Sequence, residues 1–203
     1  MKRFRNLLLA ECLALLLLTG CSPSRNPSVP GRDGQEPHKE KLSVCASFYP
    51  MYDFARKIGG DKVHVINMVP AGTEPHDWEP AASDIVALEK ADAFIYNGAG
   101  LEGWTGDVLA SLRNRNLITV EASKNVPLLK EQGSEKDKGS KPASDPHVWL
   151  NPQYAKKEME NIKNGFVKAD PNNQSYYEAN YTKYAGEADQ LDRELKDTFS
   201  ALP

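Results

Sequence analysis

From Leu42 onward, the spacing of apolar residues switches repeatedly between the runs typical of strands and the three-and-four spacing of helices. Strand-length runs lie at 42–47, 63–69, 93–96 and 117–120. Helical spacing lies between them, at 48–58, 83–90 and 104–113. Strands that alternate with helices predict an α/β fold, a parallel sheet flanked by helices. In the helix at 83–90, we expect Ser83 as the N-cap and Ile85, Val86 and Leu88 on the inner face.

The sequence after residue 147 is helical throughout. Asn151-Pro152 combines a preferred N-cap residue with a proline at the first helical position. Asp170-Pro171 starts a second helix in the same way, and its apolar stripe continues to Leu202. We therefore predict an α/β lobe over 42–170 and one long amphipathic α-helix over 171–203.

The N-terminus predicts export and a lipid anchor. Three basic residues precede an apolar run at 7–18, which is shorter than the roughly 20 residues that a membrane-spanning helix needs. The run ends in Leu18-Thr19-Gly20-Cys21, which resembles the lipobox of bacterial lipoproteins. Residues 1–20 are thus the predicted signal peptide, and Cys21 is the predicted lipidation site on an extracytoplasmic protein. An ordinary secretory peptide cut near Gly20 is the alternative.

Residues 21–41 are predicted to form a flexible tether. Positions 22–41 contain four prolines, three serines and two glycines, a composition that cannot bury a core. Cys45 is the one cysteine left after the signal peptide and Cys21, and it lies in an apolar strand, so we expect a buried small residue without chemistry. The formal net charge of −3 is mixed along the chain and excludes a basic nucleic-acid-binding face.

Two histidines lie in loops with the same local pattern, Pro-His-x-Trp. His76 follows a strand in a loop with prolines on both sides, and His147 precedes the Asn151-Pro152 helix start. Loops after parallel strands meet at the ligand-binding edge of an open sheet, so the two imidazoles could meet there. Imidazoles suit zinc and also manganese, iron, copper or nickel. His64 lies in the middle of a strand and is expected to be solvated or structural.

Four acidic residues flank these histidines: Glu74, Asp77, Glu79 and Asp145. We take them as residues that keep the loops soluble. The alternative is that they orient the imidazoles as hydrogen-bond acceptors, as carboxylates often do beside metal-bound histidines.

Both loops, in this order, resemble those of the metal-binding receptors of bacterial ABC importers, the cluster A-I substrate-binding proteins, which include zinc and manganese receptors. The resemblance covers nearly all of 42–203 and rests on four segments, at 47–52, 72–80, 91–98 and 145–152. It implies two α/β lobes joined by one long helix, with a metal ion held between the lobes by four side chains. His76 and His147 match the two histidine ligands of the first lobe.

The resemblance also implies two ligands from a second lobe, a histidine or glutamate and an aspartate or glutamate. No residue of this sequence fills those places, so we expect the C-terminal lobe to be absent and the chain to be part of a longer protein. A truncated natural product is the alternative. The segments 72–76 and 97–102 look closer to zinc receptors, although 130–144 lacks the histidines that many of them carry there. Zinc is therefore the predicted metal, and manganese the alternative.

The predicted function is that of a receptor that delivers this metal to the membrane permease of an ABC importer. An enzyme is not expected, because the sequence has no HExxH motif and no third histidine near either loop. A surface adhesin or interaction lipoprotein, with incidental histidines, stays open as the other alternative.

Overall fold

The computed structural model describes residues 41–129 and 144–202. The predicted signal peptide, Cys21 and most of the tether lie outside these residues. The elements are, in chain order, β1 (Leu42–Ala46), α1 (Tyr49–Gly59), β2 (Val63–Asn67), α2 (Ala82–Lys90), β3 (Ala93–Tyr96), α3 (Thr105–Ser111), β4 (Ile118–Glu121), α4 (Pro152–Ala169) and α5 (Gln174–Ser200). Short 3-10 turns lie at Gly60–Lys62, Pro75–Asp77, Val148–Leu150 and Pro171–Asn173.

The four strands form one parallel sheet in the order β2-β1-β3-β4. Strand β2 lies on one side of β1 in the sheet, and β3 lies on the other side. The direction in which the chain adds strands therefore reverses between β1 and β3. Open α/β sheets bind ligands at the carboxyl ends of their strands, near such a switch point. The connections that carry His76 and His147 leave this edge, after β2 and β4 respectively.

Alternate residues of each strand point to opposite faces and form two separate cores. On β1, Val44 and Ala46 pack with α1, α4 and α5, whereas Cys45 packs with Leu88 of α2 and Phe94 of β3. Burial raises the pKa of the Cys45 thiol to about 11, so the thiol stays protonated at neutral pH. The expected burial of Cys45 is confirmed.

The start of α2 differs from the sequence-based prediction. The helix begins at Ala82, and the Asp84 carboxylate accepts a hydrogen bond of 2.8 Å from the Ala81 backbone N–H. Asp84 can reach back to this free N–H from the first turn, and its charge is favourable there. The prediction of Ser83 as the N-cap was wrong, and so was the inward orientation of Val86, which is 52% exposed.

Both predicted C-terminal helices are present, but the second begins at Gln174, after the 3-10 turn Pro171–Asn173, and not at Pro171 as predicted. The Asn151 side chain accepts hydrogen bonds from the backbone N–H groups of Gln153 and Tyr154, and Pro152 opens α4. The 27-residue helix α5 packs against α1 and α4, with Tyr177 fully buried. Its C-terminal half carries exposed apolar side chains, which are Leu191, Leu195 and Phe199. Among the described residues, no helix is both long enough and apolar enough to cross a bilayer.

Candidate metal centre

The two predicted histidines come together at the carboxyl edge of the sheet. His76 lies in the 3-10 turn Pro75–Asp77 that follows β2, and His147 lies directly before the turn Val148–Leu150 that leads into α4. The distance between the two Nε2 atoms is 3.2 Å, and the ring centroids are 5.2 Å apart. Both residues are exposed to solvent.

This separation suits a shared metal ion. Two imidazole nitrogens bound to one zinc ion at its usual distance lie roughly 3.3–3.4 Å apart when the angle at the metal is tetrahedral. The observed 3.2 Å is also the length of an N–H···N hydrogen bond, in which one Nε2 carries the proton. A metal ion that binds both nitrogens would replace that proton.

Asp145 determines which nitrogen of His147 is available. Its Oδ1 accepts hydrogen bonds from the His147 backbone N–H, at 2.9 Å, and from the ring Nδ1, at 2.7 Å. These hydrogen bonds hold the pKa of Asp145 below its ordinary value, so the carboxylate is charged. Nδ1 therefore carries the proton and leaves the Nε2 lone pair free to bind metal. The structure thus shows Asp145 as a hydrogen-bond acceptor beside His147, the alternative to a purely solubilising role.

The ring of His147 also packs against an aromatic pair. Its centroid lies 5.2 Å from that of Trp149, and Trp149 in turn meets the ring of Phe48 edge to face at 4.9 Å. Phe48 is buried in the core directly before α1. The imidazole is thus held on one side by a carboxylate and on the other by an indole that is anchored in the core.

His76 has fewer supports. Its backbone N–H donates to Glu74 Oε1 over 3.3 Å, and the neighbouring Trp78 packs against Trp104 at 5.5 Å. For its imidazole, the only side-chain hydrogen bond found within 41–129 and 144–202 is the one to His147. The turn holds the backbone of His76, and among the described residues the ring is held by its hydrogen bond and its ring contact with His147.

No third ligand completes the pair among the residues that the structure describes. Across these residues there is no group of three His, Cys, Asp or Glu side chains that could hold a metal ion. His64 lies on β2, where it is exposed, as the sequence analysis expected. The described part of the centre consists of two nitrogen donors.

A buried polar cluster behind the two histidines was not anticipated from the sequence. Glu102 accepts hydrogen bonds from the Ser47 hydroxyl (2.6 Å) and from the backbone N–H groups of Asn97 (2.8 Å) and Gly98 (3.0 Å). Burial raises the pKa of Glu102, and these hydrogen bonds oppose the rise. The available signal was the segment 97–102, Asn-Gly-Ala-Gly-Leu-Glu, in which Gly98 and Gly100 adopt positive φ angles of 80° and 89°.

Glu158 of α4 is a second buried carboxyl group that the sequence analysis did not single out. It is fully buried, and neither carboxyl oxygen has a hydrogen-bond partner. Burial, with a smaller contribution from the charge of Glu102, raises its pKa to about 8. Glu158 is therefore mostly protonated at neutral pH.

An open groove lies beside His147. Its volume is about 430 Å³, and it is lined by both polar and apolar side chains, among them Asp145, Leu150, Tyr154 and Leu195. Leu150 is 74% exposed. Exposed apolar side chains thus lie beside His147.

The chain resembles known proteins over most of its length. The high-affinity zinc uptake system protein ZnuA of Bacillus subtilis (strain 168) is 36% identical to the chain over 198 residues, which make up 94% of this chain and 59% of that protein. The crystal structure of the metal-dependent lipoprotein YcdH from Bacillus subtilis matches with a TM-score of 0.70 and 40% identity, over 78% of this chain and 56% of the other.

A third match is the Zn(II)-bound ZnuA-like domain of Streptococcus pneumoniae AdcA, with a TM-score of 0.66 and 33% identity. It covers 75% of this chain and 54% of the other. The chain thus spans less than two thirds of the length of each of these proteins. The model of one family, described as zinc-uptake complex component A, periplasmic, matches residues 44–203, which contain both histidines. The chain belongs to this family, the ZnuA family.

Proposed function

We propose that the chain is the metal-capturing part of an extracytoplasmic receptor that delivers zinc to an ABC importer. The observation that carries this proposal is the 3.2 Å separation of the Nε2 atoms of His76 and His147 in a member of a zinc-uptake family. Each nitrogen supplies one ligand to the transported ion.

Zinc fits the donors better than manganese does. Zinc accepts neutral imidazole nitrogens readily, whereas manganese is usually bound by oxygen ligands. Asp145 is the nearest carboxylate to His147, and its Oδ1 is engaged with the backbone and ring N–H groups of that histidine. Manganese remains the alternative cargo, which would require oxygen ligands from elsewhere.

Two nitrogens hold zinc only weakly, because a closed zinc site has four ligands. We propose that the remaining ligands come from residues outside those described, in a second lobe that closes over the exposed histidines. The relatives from Bacillus subtilis are longer than this chain, which leaves room for such a lobe in proteins of this family. The exposed Leu150 and Leu195 beside His147 give that lobe apolar surface to pack against.

The capture step then follows from the chemistry of the two rings. His147 presents a free Nε2 because Asp145 holds the proton on Nδ1. His76 releases its Nε2 proton to water and takes up a proton at Nδ1, so that the ring stays neutral and offers its Nε2 lone pair to the ion. The Asp145 carboxylate also stabilises the positive charge that the His147 ring gains when it donates to zinc.

For its location, we propose a protein anchored to the outer face of the membrane by lipid on Cys21. The lipobox-like segment before Cys21 supports this, and two acyl chains would hold the protein stably. Its partners are the metal ion and the membrane permease of the importer, and the small negative net charge supports no role in nucleic-acid binding.

Titration calorimetry with Zn²⁺ tests the proposal on the chain and on the His76→Ala/His147→Ala double variant. The chain should bind one zinc ion, with affinity lost in the double variant and a lower affinity for Mn²⁺. If neither this chain nor a longer protein that contains it bound a transition metal, or if the double variant bound zinc equally well, the receptor function would be rejected in favour of an interaction protein with incidental histidines.

A further inference from the structure

Asn97 links the end of β3 to the loop that carries His147. Its side chain is fully buried, and its Nδ2 donates to the carbonyl oxygen of Pro146 over 3.0 Å. Pro146 directly precedes His147 in the chain. The same carbonyl oxygen accepts a 2.8 Å hydrogen bond from the Val148 N–H, which closes a tight turn around His147.

Asn97 is itself held in place directly after β3, at the carboxyl end of the sheet. Its backbone N–H donates to Glu102 over 2.8 Å, and its carbonyl oxygen accepts from the Ser123 N–H over 3.0 Å. A second bond from Nδ2, to the carbonyl of Gly98 at 2.9 Å, fixes the plane of the amide. These contacts at the carboxyl end of the sheet fix the direction in which the Asn97 side-chain N–H points toward the Pro146 carbonyl oxygen.

Among the described residues, no buried side-chain amide donates a hydrogen bond to the backbone of the loop that carries His76. Asn67 is the last residue of β2, and its Nδ2 donates to the carbonyl oxygen of Val69, seven residues before His76. The turn around His76 is supported by Glu74 over 3.3 Å. The amide after β3 thus acts on one histidine of the pair.

We propose that Asn97 is a positioning residue for metal binding: its side-chain N–H fixes the Pro146 carbonyl and so holds Nε2 of His147 within reach of a metal ion shared with His76. This inference rests on the proposed zinc-receptor function. The alternative is an amide that merely fills the core behind the loop, with no influence on the ligand.

Zinc titrations of the chain and of two variants distinguish these roles. Asn97→Ala removes the donor, and Asn97→Leu removes it while keeping a side chain of similar volume. The matched control is Asn114→Ala, which loses an Nδ2–H bond of 2.9 Å to the Ala91 carbonyl near the opposite end of β3. Both Asn97 variants should bind zinc roughly 10–100-fold more weakly, the range for residues that orient metal ligands. The control should bind zinc as the unaltered chain does.

A double-mutant cycle supplies a readout that a structural role would not produce. In a His147→Ala background, the remaining weak binding through His76 should be insensitive to Asn97→Ala, because the residue acts only through His147. An equal loss of affinity in both backgrounds, or a loss no larger than in the control, would overturn the proposal. Failure of both Asn97 variants to fold would also overturn it, since the proposed role is local.

Amide hydrogen exchange keeps this inference separate from the receptor function. The Val148 N–H should exchange faster in both Asn97 variants than in the unaltered chain, with or without zinc, because its acceptor is released. Unchanged exchange would count against Asn97 as the support of the turn. Absence of zinc binding in the unaltered chain, with faster Val148 exchange in the variants, would instead reject the receptor function alone.

Discussion

Two loops bring one histidine each to the same edge of the sheet, and they support it by different means. The ring of His147 donates a hydrogen bond to Asp145 and packs against Trp149, and the backbone of its loop accepts a hydrogen bond from the buried Asn97 amide. His76 has a 3-10 turn and one long backbone hydrogen bond. A preorganised ligand loses less conformational entropy when metal arrives. We infer that His147 is the fixed half of the pair and His76 the adjustable half.

The largest effect should follow from loss of either ligand. His147→Ala and His76→Ala should each weaken zinc binding by more than the roughly 10–100-fold typical of orienting residues, since each removes a metal–nitrogen bond. Titration calorimetry measures both. A variant of either histidine that kept the full affinity would show that the two rings do not share the ion.

Between pH 6 and pH 8, the buried Glu158 should make the free energy of unfolding fall. Its pKa is raised to about 8 in the fold, so the folded state holds the proton more tightly than the unfolded chain does. The contribution of Glu158 to stability is therefore fully present below its unfolded pKa of about 4.5, and it is lost as the pH rises toward 8, by about 2 kcal/mol between pH 6 and pH 8. This bears on the comparison because Glu158 lies on α4, the helix that follows His147.

Urea unfolding at several pH values measures this loss. In Glu158→Gln the contribution should disappear, and the variant should be more stable than the unaltered chain at pH 8. Glu160→Gln, which alters a partly exposed carboxylate on the same helix, should keep the original pH dependence. An identical pH profile for Glu158→Gln and the unaltered chain would contradict the assignment of the loss to Glu158.

The carboxylates beside the two histidines should differ in their effect on zinc binding. Asp145→Asn should weaken zinc binding roughly 10–100-fold, because an amide no longer reliably holds the proton on Nδ1 of His147. Glu74→Gln should change the affinity by less than about threefold, because Glu74 meets only the backbone of His76. Equal losses from the two substitutions would remove the distinction between a fixed and an adjustable histidine.

The smallest effect concerns the helix start that follows His147. Asn151→Ala removes the side-chain acceptor for two N–H groups of α4 and should lower the free energy of unfolding by about 1 kcal/mol. Zinc affinity should change little, because Asp145 and Asn97 contact the loop upstream of the cap. A large loss of zinc affinity would show that the position of His147 depends on α4 more than on those two residues.

Much of this architecture could be predicted because local patterns and the fold agree. The strand β3 was predicted with its observed bounds, and the four apolar positions of α4 at 155, 159, 162 and 166 are all buried. The family match and the similar solved structures confirm the predicted family and the predicted α/β fold. The predicted start of α2 was wrong because Ser83 and Asp84 both carry side-chain oxygens that can accept a hydrogen bond from a free backbone N–H. The sequence does not show which of the two does so.

The support of the site could not be predicted in the same way. Asn97 and Pro146 are 49 residues apart, and no periodicity links an amide after a strand to the carbonyl before a ligand. The burial of Glu102 and Glu158 could not be predicted either, because glutamate side chains are rarely buried in proteins. Asp145 lies two residues before His147, so a contact between them could be expected from the sequence. This proximity alone did not distinguish a hydrogen-bond acceptor from a solvated charge.

The central claim is that the Nε2 atoms of His76 and His147 bind one zinc ion together, with Nδ1 of His147 protonated throughout. Long-range proton–nitrogen NMR spectra of the imidazole rings, recorded during a zinc titration of the chain, test it directly. The account predicts that both Nε2 resonances shift together and saturate at the same zinc concentration, while Nδ1 of His147 keeps its proton. A shift of one ring alone, or of Nδ1 in His147, would contradict it.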